Sequence, residues 1–191
     1  VISVPSGNFG NLTAGIIAMK MGLPVKKFIA STNINNIVPE YLRTGLFLPS
    51  SSVQTISNAM DVGNPSNFER ILDLFHHSFD KVKDAIIGYY FTDVETKSAM
   101  RLIYSKFNYI VDPHGAVGYL GLMNYLNSHS GKKGVFLGTA HPAKFLNVVK
   151  PTLNTDIKIP KKLQSFMMMK KKSVQILNLY ENFKNQILEK K

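Results

Sequence analysis

The hexapeptide Ser-Gly-Asn-Phe-Gly-Asn at residues 6–11 lies between an apolar run, Val1-Ile2-Ser3-Val4, and a helix-like run over residues 12–20. Its two glycines permit positive φ and close backbone approach, and a helix that starts here turns its first unpaired N–H groups toward a ligand. The chemistry this arrangement performs is anion binding, with phosphate the natural occupant. No Gly-Lys-Ser/Thr follows, so the loop is not a P-loop, and the Gly-x-Gly-x-x-Gly spacing of dinucleotide folds is absent. On spacing alone, a tight strand-to-helix turn with no ligand fits equally well. The chain has no cysteine, which excludes thiolate catalysis, a disulfide framework and a cysteine-based zinc site.

The elements that must position this loop follow from periodicity. Short apolar runs closed by turn residues predict strands at 2–4, 25–30, 109–111 and 134–138, the last of them buried. Helical patterns predict helices over 11–21, 36–44, 67–79, 93–106, 114–127 and 142–150. Several starts are punctuated: Asn67 before Phe68, Thr92 with Glu95 three residues on, and Asp112 followed by Pro113. Residues 46–65 read as loop with at most a short element. After Pro151 the pattern loosens, and 174–190 reads as a final amphipathic helix. The alternation of strand and helix predicts an α/β fold, with a mostly parallel sheet, helices on both faces and a C-terminal helical extension. The expected division is 1–150, part of a ligand-binding domain, and 151–191, a basic extension.

With 191 residues, an apolar fraction of 45% and a mean hydropathy near zero, the chain can bury a sizeable core. No stretch reaches the ~18 apolar residues of a membrane span. No signal-peptide pattern is present, and a cytoplasmic location is expected. Of the formal charge of +11, residues 150–191 carry +7, chiefly on Lys161, Lys162, Lys170, Lys171, Lys172, Lys190 and Lys191. This tail has no arginine and few interleaved aromatics, so it reads as a solvated lysine face and argues against nucleic-acid binding. The mildly cationic body suits a small anionic ligand.

Five ordered blocks carry a close resemblance to the C-terminal portion of threonine synthases: VPSGNFGNLTAG at 4–15, LPVKKFIASTNINNIVP at 23–39, SNAMDVGNPSNFERILDLF at 57–75, DPHGAVGY at 112–119 and LGTAHPAKF at 137–145. These are pyridoxal-phosphate enzymes of the tryptophan-synthase-β-like group (fold type II). The resemblance implies half of a twisted α/β enzyme with the cofactor between two domains. It implies that Ser6, Gly7, Asn8, Phe9, Gly10 and Asn11 grip the pyridoxal 5'-phosphate phosphate, chiefly through backbone N–H groups. It implies that the Thr139 hydroxyl approaches the pyridine nitrogen, and it places Asp112 and His114 beside the ring. His141 and Lys144 become near-site candidates, and Asn33 and Asn35 candidates for facing the substrate. His114, His141 and Lys144 also read as helix-start groups or as supports behind the site. The implied reaction converts O-phospho-L-homoserine and water to L-threonine and phosphate. In this family the Schiff-base lysine lies in a Phe-Lys-Asp stretch before the phosphate loop, and no such stretch occurs here. The lysine is therefore expected upstream of Val1, with the missing N-terminal half as partner and the chain alone inactive. The alternatives are another pyridoxal-phosphate lyase or dehydratase acting on serine or threonine, and a non-catalytic anion- or nucleic-acid-binding module.

Overall fold

Alternating side chains along short β runs divide the core into two faces. The structure, a computed structural model, describes residues 1–189; Lys190 and Lys191, with the end of the helix expected over 174–190, lie outside the described residues. Strands β1 (Ile2–Pro5), β2 (Phe28–Thr32), β3 (Ile86–Tyr90) and β4 (Val135–Phe136) form a four-stranded parallel sheet in the order β3-β2-β1-β4. Val4, Phe28, Ala30 and Ile86 point to one face. There they meet Leu12 and Ile16 of α1 (Gly10–Lys20), Val38 and Leu42 of α2 (Ile37–Thr44), Phe68 and Ile71 of α3 (Ser66–Leu74), and Val82 of α4 (Phe79–Ala85). On the opposite face Ile29 packs on Leu122 and Tyr125 of α6 (Pro113–Ser128). Beyond α6, α5 (Asp93–Phe107) and α7 (Leu146–Leu153) add a further layer through Ala99, Met100, Ile103 and Val149. The α/β class with helices on both faces of a parallel sheet is as expected.

Two helix starts are built as the residue types dictate. The Glu95 N–H donates to Thr92 Oγ1 at 3.3 Å while the Thr92 N–H donates to Glu95 Oε2 at 2.8 Å, closing a capping box on α5. Asp112 caps α6, with Pro113 at its first position.

Other expectations need correction. The strand expected at 109–111 pairs with no neighbour among the described residues, although Val111 is buried. The sheet position goes instead to β3, which follows Ala85 of α4 directly, with no turn residue to announce it. The strand expected over 25–30 starts only at Phe28. The strand expected over 134–138 shrinks to Val135–Phe136, a sheet edge rather than a buried strand, with Val135 59% exposed. The helix expected over 67–79 breaks into α3 and α4, because His76 and His77 take left-handed φ values of 54° and 52°. The helix expected over 142–150 begins as a 3₁₀ turn, Pro142–Phe145, and continues as α7 through Pro151.

The chain divides into two compact units, Val1–Ile157 and Lys158–Lys191. The second holds α8 (Lys161–Met167), which was not expected, and α9 (Tyr180–Leu188), shorter than expected. Neither helix has a buried residue. Among the described residues no helix is long and apolar enough to cross a membrane.

The close seat of α6 on the sheet depends on Gly121. A Cβ there would lie 1.9 Å from Ser31 Oγ and 3.0 Å from Ser31 Cβ. Ser31 cannot yield freely, since its Oγ shares a 2.9 Å hydrogen bond with Ser3 Oγ, which also donates to Gly118 O at 2.7 Å. Gly121→Ala is therefore expected to destabilise the fold by about 1–3 kcal/mol, the usual cost of overpacking. A urea-unfolding midpoint equal to that of the parent would refute the packing argument.

Candidate functional site

At the carboxyl end of β1 the chain must turn from strand to helix, and it does so through residues 6–9. The Ser6 N–H still donates to Ser31 O at 2.8 Å, and the Thr13 N–H to Phe9 O at 2.9 Å. Between them, the N–H groups of Gly7, Asn8, Phe9, Gly10, Asn11 and Leu12 have no acceptor among the described residues. Unlike α5 and α6, α1 has no side-chain cap, and unlike α5 it has no acidic residue in its first turn. The aligned peptide dipoles place about half a positive charge at this end. Six free donors plus that field form a cradle for a compact anion.

Two features hold the cradle in shape. Phe9 precedes α1 in the left-handed region, φ 61°, a conformation that costs a non-glycine residue on the order of 1 kcal/mol. Its ring is buried against Phe68, with centroids 6.0 Å apart, so the packing of α3 enforces the strained turn. Gly7 admits the backbone of the 3₁₀ turn Asn58–Met60: a Cβ would lie 2.6 Å from Met60 Cα and 2.7 Å from Ala59 O. Only glycine permits that approach.

The cleft in front of the loop has a volume of ≈ 330 Å³ and is lined by residues 5–11 together with Ala59, Met60, Asn67, His114, Thr139, Ala140, Lys144 and Phe145. Among the described residues Lys144 is the cation that lines the cleft, and no carboxylate lines it. The donor set is thus suited to a phosphate dianion. A larger groove, ≈ 540 Å³, follows the exposed edge of β3, but none of residues 6–11 lines it, and its Glu40 and Arg43 are paired with each other at 2.6 Å.

The structure brings together Ser6, Gly7, Asn8, Phe9, Gly10, Asn11, His114, Thr139 and Lys144 in this cleft. Side chains of the loop are already engaged: Ser6 Oγ donates to Val4 O at 2.9 Å, and the Asn8 amide exchanges hydrogen bonds with Ser66 Oγ at 3.0 and 3.1 Å. Asn8 also accepts from the Asn67 N–H at 3.4 Å, tying the loop to the start of α3. Backbone N–H groups are left as the principal donors. Asp112 lies behind His114, 2% exposed, and His141 Nδ1 accepts from the Ala143 N–H at 3.1 Å, shaping the turn that carries Lys144. Asn33 and Asn35 do not line the cleft. Their amides bind the loop over residues 53–61: Asn33 Nδ2 donates to Thr55 Oγ1 and Asp61 Oδ1 at 2.8 Å each, and Asn35 Nδ2 donates to Val53 O at 2.9 Å. Ala59, Met60 and Phe145 were not foreseen as lining residues, because nothing in an Ala, a Met or a Phe signals a site; their places within 57–75 and 137–145 were the available hint.

Comparison with known proteins gives a consistent result. A family model described as pyridoxal-phosphate dependent enzyme matches residues 1–139, and a model described as threonine synthase, C-terminal, matches residues 115–187. A threonine synthase of Buchnera aphidicola subsp. Baizongia pistaciae is 43% identical over 190 residues, covering 100% of this chain and 43% of that protein. The crystal structure of threonine synthase from Escherichia coli superposes with a TM-score of 0.89 at 38% identity, over 100% of this chain and 44% of that one. A pyridoxal-phosphate-bound threonine synthase from Brucella melitensis gives 0.80 at 30% identity, over 88% and 41%. The chain thus spans less than half the length of these relatives.

Proposed function

The chain belongs to the pyridoxal-phosphate-dependent enzyme family, and from that premise we propose that it is the phosphate-anchoring part of a threonine synthase acting on O-phospho-L-homoserine. The observation that carries the reading is the run of six N–H groups without acceptors among the described residues, residues 7–12, at the head of α1. These donors fit the phosphate of pyridoxal phosphate, and the gap that only Gly7 can leave fits the loop to that duty. When bound, pyridoxal phosphate supplies the electron sink for chemistry at the carbons next to the amino group.

The chain's own residues contribute positioning. Backbone N–H groups of residues 7–11 bind and orient the phosphate; Lys144 balances its charge from the cleft wall. The Thr139 hydroxyl, at the far side of the strand-end turn, takes the pyridine nitrogen as hydrogen-bond partner. A neutral hydroxyl there does not hold that nitrogen protonated, as a carboxylate would. Residues 1–150 serve as part of the cofactor-binding domain and 151–191 as a basic extension. The lysine that bonds the cofactor comes from the remainder of the longer enzyme, which in its complete form converts O-phospho-L-homoserine and water to L-threonine and phosphate.

The test compares ligands. The chain is expected to bind pyridoxal phosphate measurably and dephosphorylated pyridoxal at least about tenfold more weakly, since several charge-assisted hydrogen bonds are lost. Phosphate release from O-phospho-L-homoserine is expected only when the remainder of the enzyme is present. Equal affinity for the two ligands, or turnover by the chain alone, would overturn the reading.

A further inference from the structure

One polar contact at the cleft wall joins residues 55 positions apart in sequence. The Ala59 N–H donates to His114 Nε2 at 3.2 Å, and His114 Nδ1 lies 2.7 Å from Asp112 Oδ2. A backbone N–H can only donate, so Nε2 must offer its lone pair. The ring proton then belongs on Nδ1, where the Asp112 carboxylate accepts it. Asp112 is held in turn by the N–H groups of His114 at 3.0 Å and Gly115 at 3.2 Å, both donated to its carboxylate. Asp112 and His114 are 2% and 3% exposed, so water does not compete for the bonds between the carboxylate, the ring and the helix start. The His114 ring also packs on Phe145 with centroids 4.7 Å apart, next to Lys144 of the cleft.

The bonded Ala59 belongs to the turn whose backbone fills the space that Gly7 leaves open. We infer that His114, fixed by Asp112 as the neutral Nδ1–H form, is a positioning residue that holds the Asn58–Met60 turn against Gly7 and thereby sets the N–H groups of the anion loop. The inference rests on the reading of residues 7–11 as a phosphate site. It assigns the Asp112–His114 pair to orientation of a side-chain acceptor for a backbone N–H, not to proton transfer. A carboxylate orienting an imidazole so that its far nitrogen is presented in one state is the same device that fixes metal-bound histidines, here applied to an amide N–H.

The test uses the ¹⁵N-labelled 191-residue chain with inorganic phosphate as the probe. In the parent chain the His114 imidazole spectrum is expected to show a protonated Nδ1 and a bare Nε2, and amides 7–11 to shift saturably with phosphate. His114→Gln places an amide oxygen where Nε2 stands and is expected to keep phosphate affinity within about twofold, while His114→Asn and His114→Ala lose about tenfold, the worth of one fixed buried hydrogen bond. A general packing role would affect Gln and Asn alike. Equal affinity in all three variants, equal loss in Gln and Asn, or a protonated Nε2 in the parent chain would each overturn the inference. Should the variants unfold, the tautomer in the parent chain decides. A parent chain whose amides 7–11 ignore phosphate would remove the site reading, and this inference with it; failure of the inference alone leaves that response intact.

Discussion

Gly7→Ala is expected to weaken pyridoxal phosphate binding on the order of 100-fold, the effect of moving a binding group by about an ångström. The reason is local. The added Cβ would meet Met60 Cα at 2.6 Å and Ala59 O at 2.7 Å, and both are backbone atoms that no rotamer change can remove. Either the Asn58–Met60 turn retreats, taking the Ala59 N–H away from His114, or the loop shifts and its N–H groups no longer converge. The fold itself should lose only about 1–3 kcal/mol, the common cost of overpacking. Gly10→Ala is the control: its Cβ would come within ordinary contact of Asn67 Nδ2, at 3.5 Å, so phosphate affinity should change little. Calorimetric titration of the two variants separates the outcomes, and equal affinities for Gly7→Ala and the parent would refute the close-approach argument.

Thr139→Asp, made in the complete enzyme, is expected to lower threonine formation by at least about tenfold while cofactor phosphate binding stays near the parental level. A carboxylate beside the pyridine nitrogen favours its protonated form by Coulomb attraction and hydrogen bonding, and one pKa unit of such preference corresponds to about a tenfold change. Thr139→Val keeps the shape and removes the hydroxyl, with an expected loss of about fivefold for one net hydrogen bond of about 1 kcal/mol. Thr139 lines the same cleft as residues 5–11, as the substitution requires. Its support differs from expectation: β4 ends at Phe136, on an exposed edge, and Thr139 lies beyond it in irregular chain. If both variants bind cofactor and turn over at parental rates, Thr139 is a connecting residue with no part in the chemistry.

What could be read from sequence was local. Gly7, Gly10 and the two asparagines announce a strand-to-helix turn because their backbone preferences act within a few residues, and the Thr92–Glu95 and Asp112–Pro113 starts are decided inside one helical turn. β3 escaped notice because Ala85 passes from helix to strand without a breaker, and only pairing with β2 selects the extended state. Residues 109–111 have the composition of a strand but no strand partner among the described residues; burial of Val111 and packing of Ile110 against the same cluster explain their apolar character. The site shows the same division. The turn at residues 6–11 was legible, whereas the Ala59–His114 bond and the clasp of Asn33 and Asn35 on residues 53–61 depend on contacts across 18–55 residues of chain. Periodicity carries no information about such distant pairings.

The central claim is that a phosphate is bound by the bare backbone at the head of α1, and a crystal structure with pyridoxal phosphate tests it most directly. The predicted result places the phosphate oxygens within hydrogen-bonding distance of the N–H groups of residues 7–11, with Gly7 still against Met60 and the ring directed toward Thr139. A phosphate bound elsewhere, for example among Lys170, Lys171 and Lys172, with the N–H groups of residues 7–11 capped by protein side chains, would contradict it.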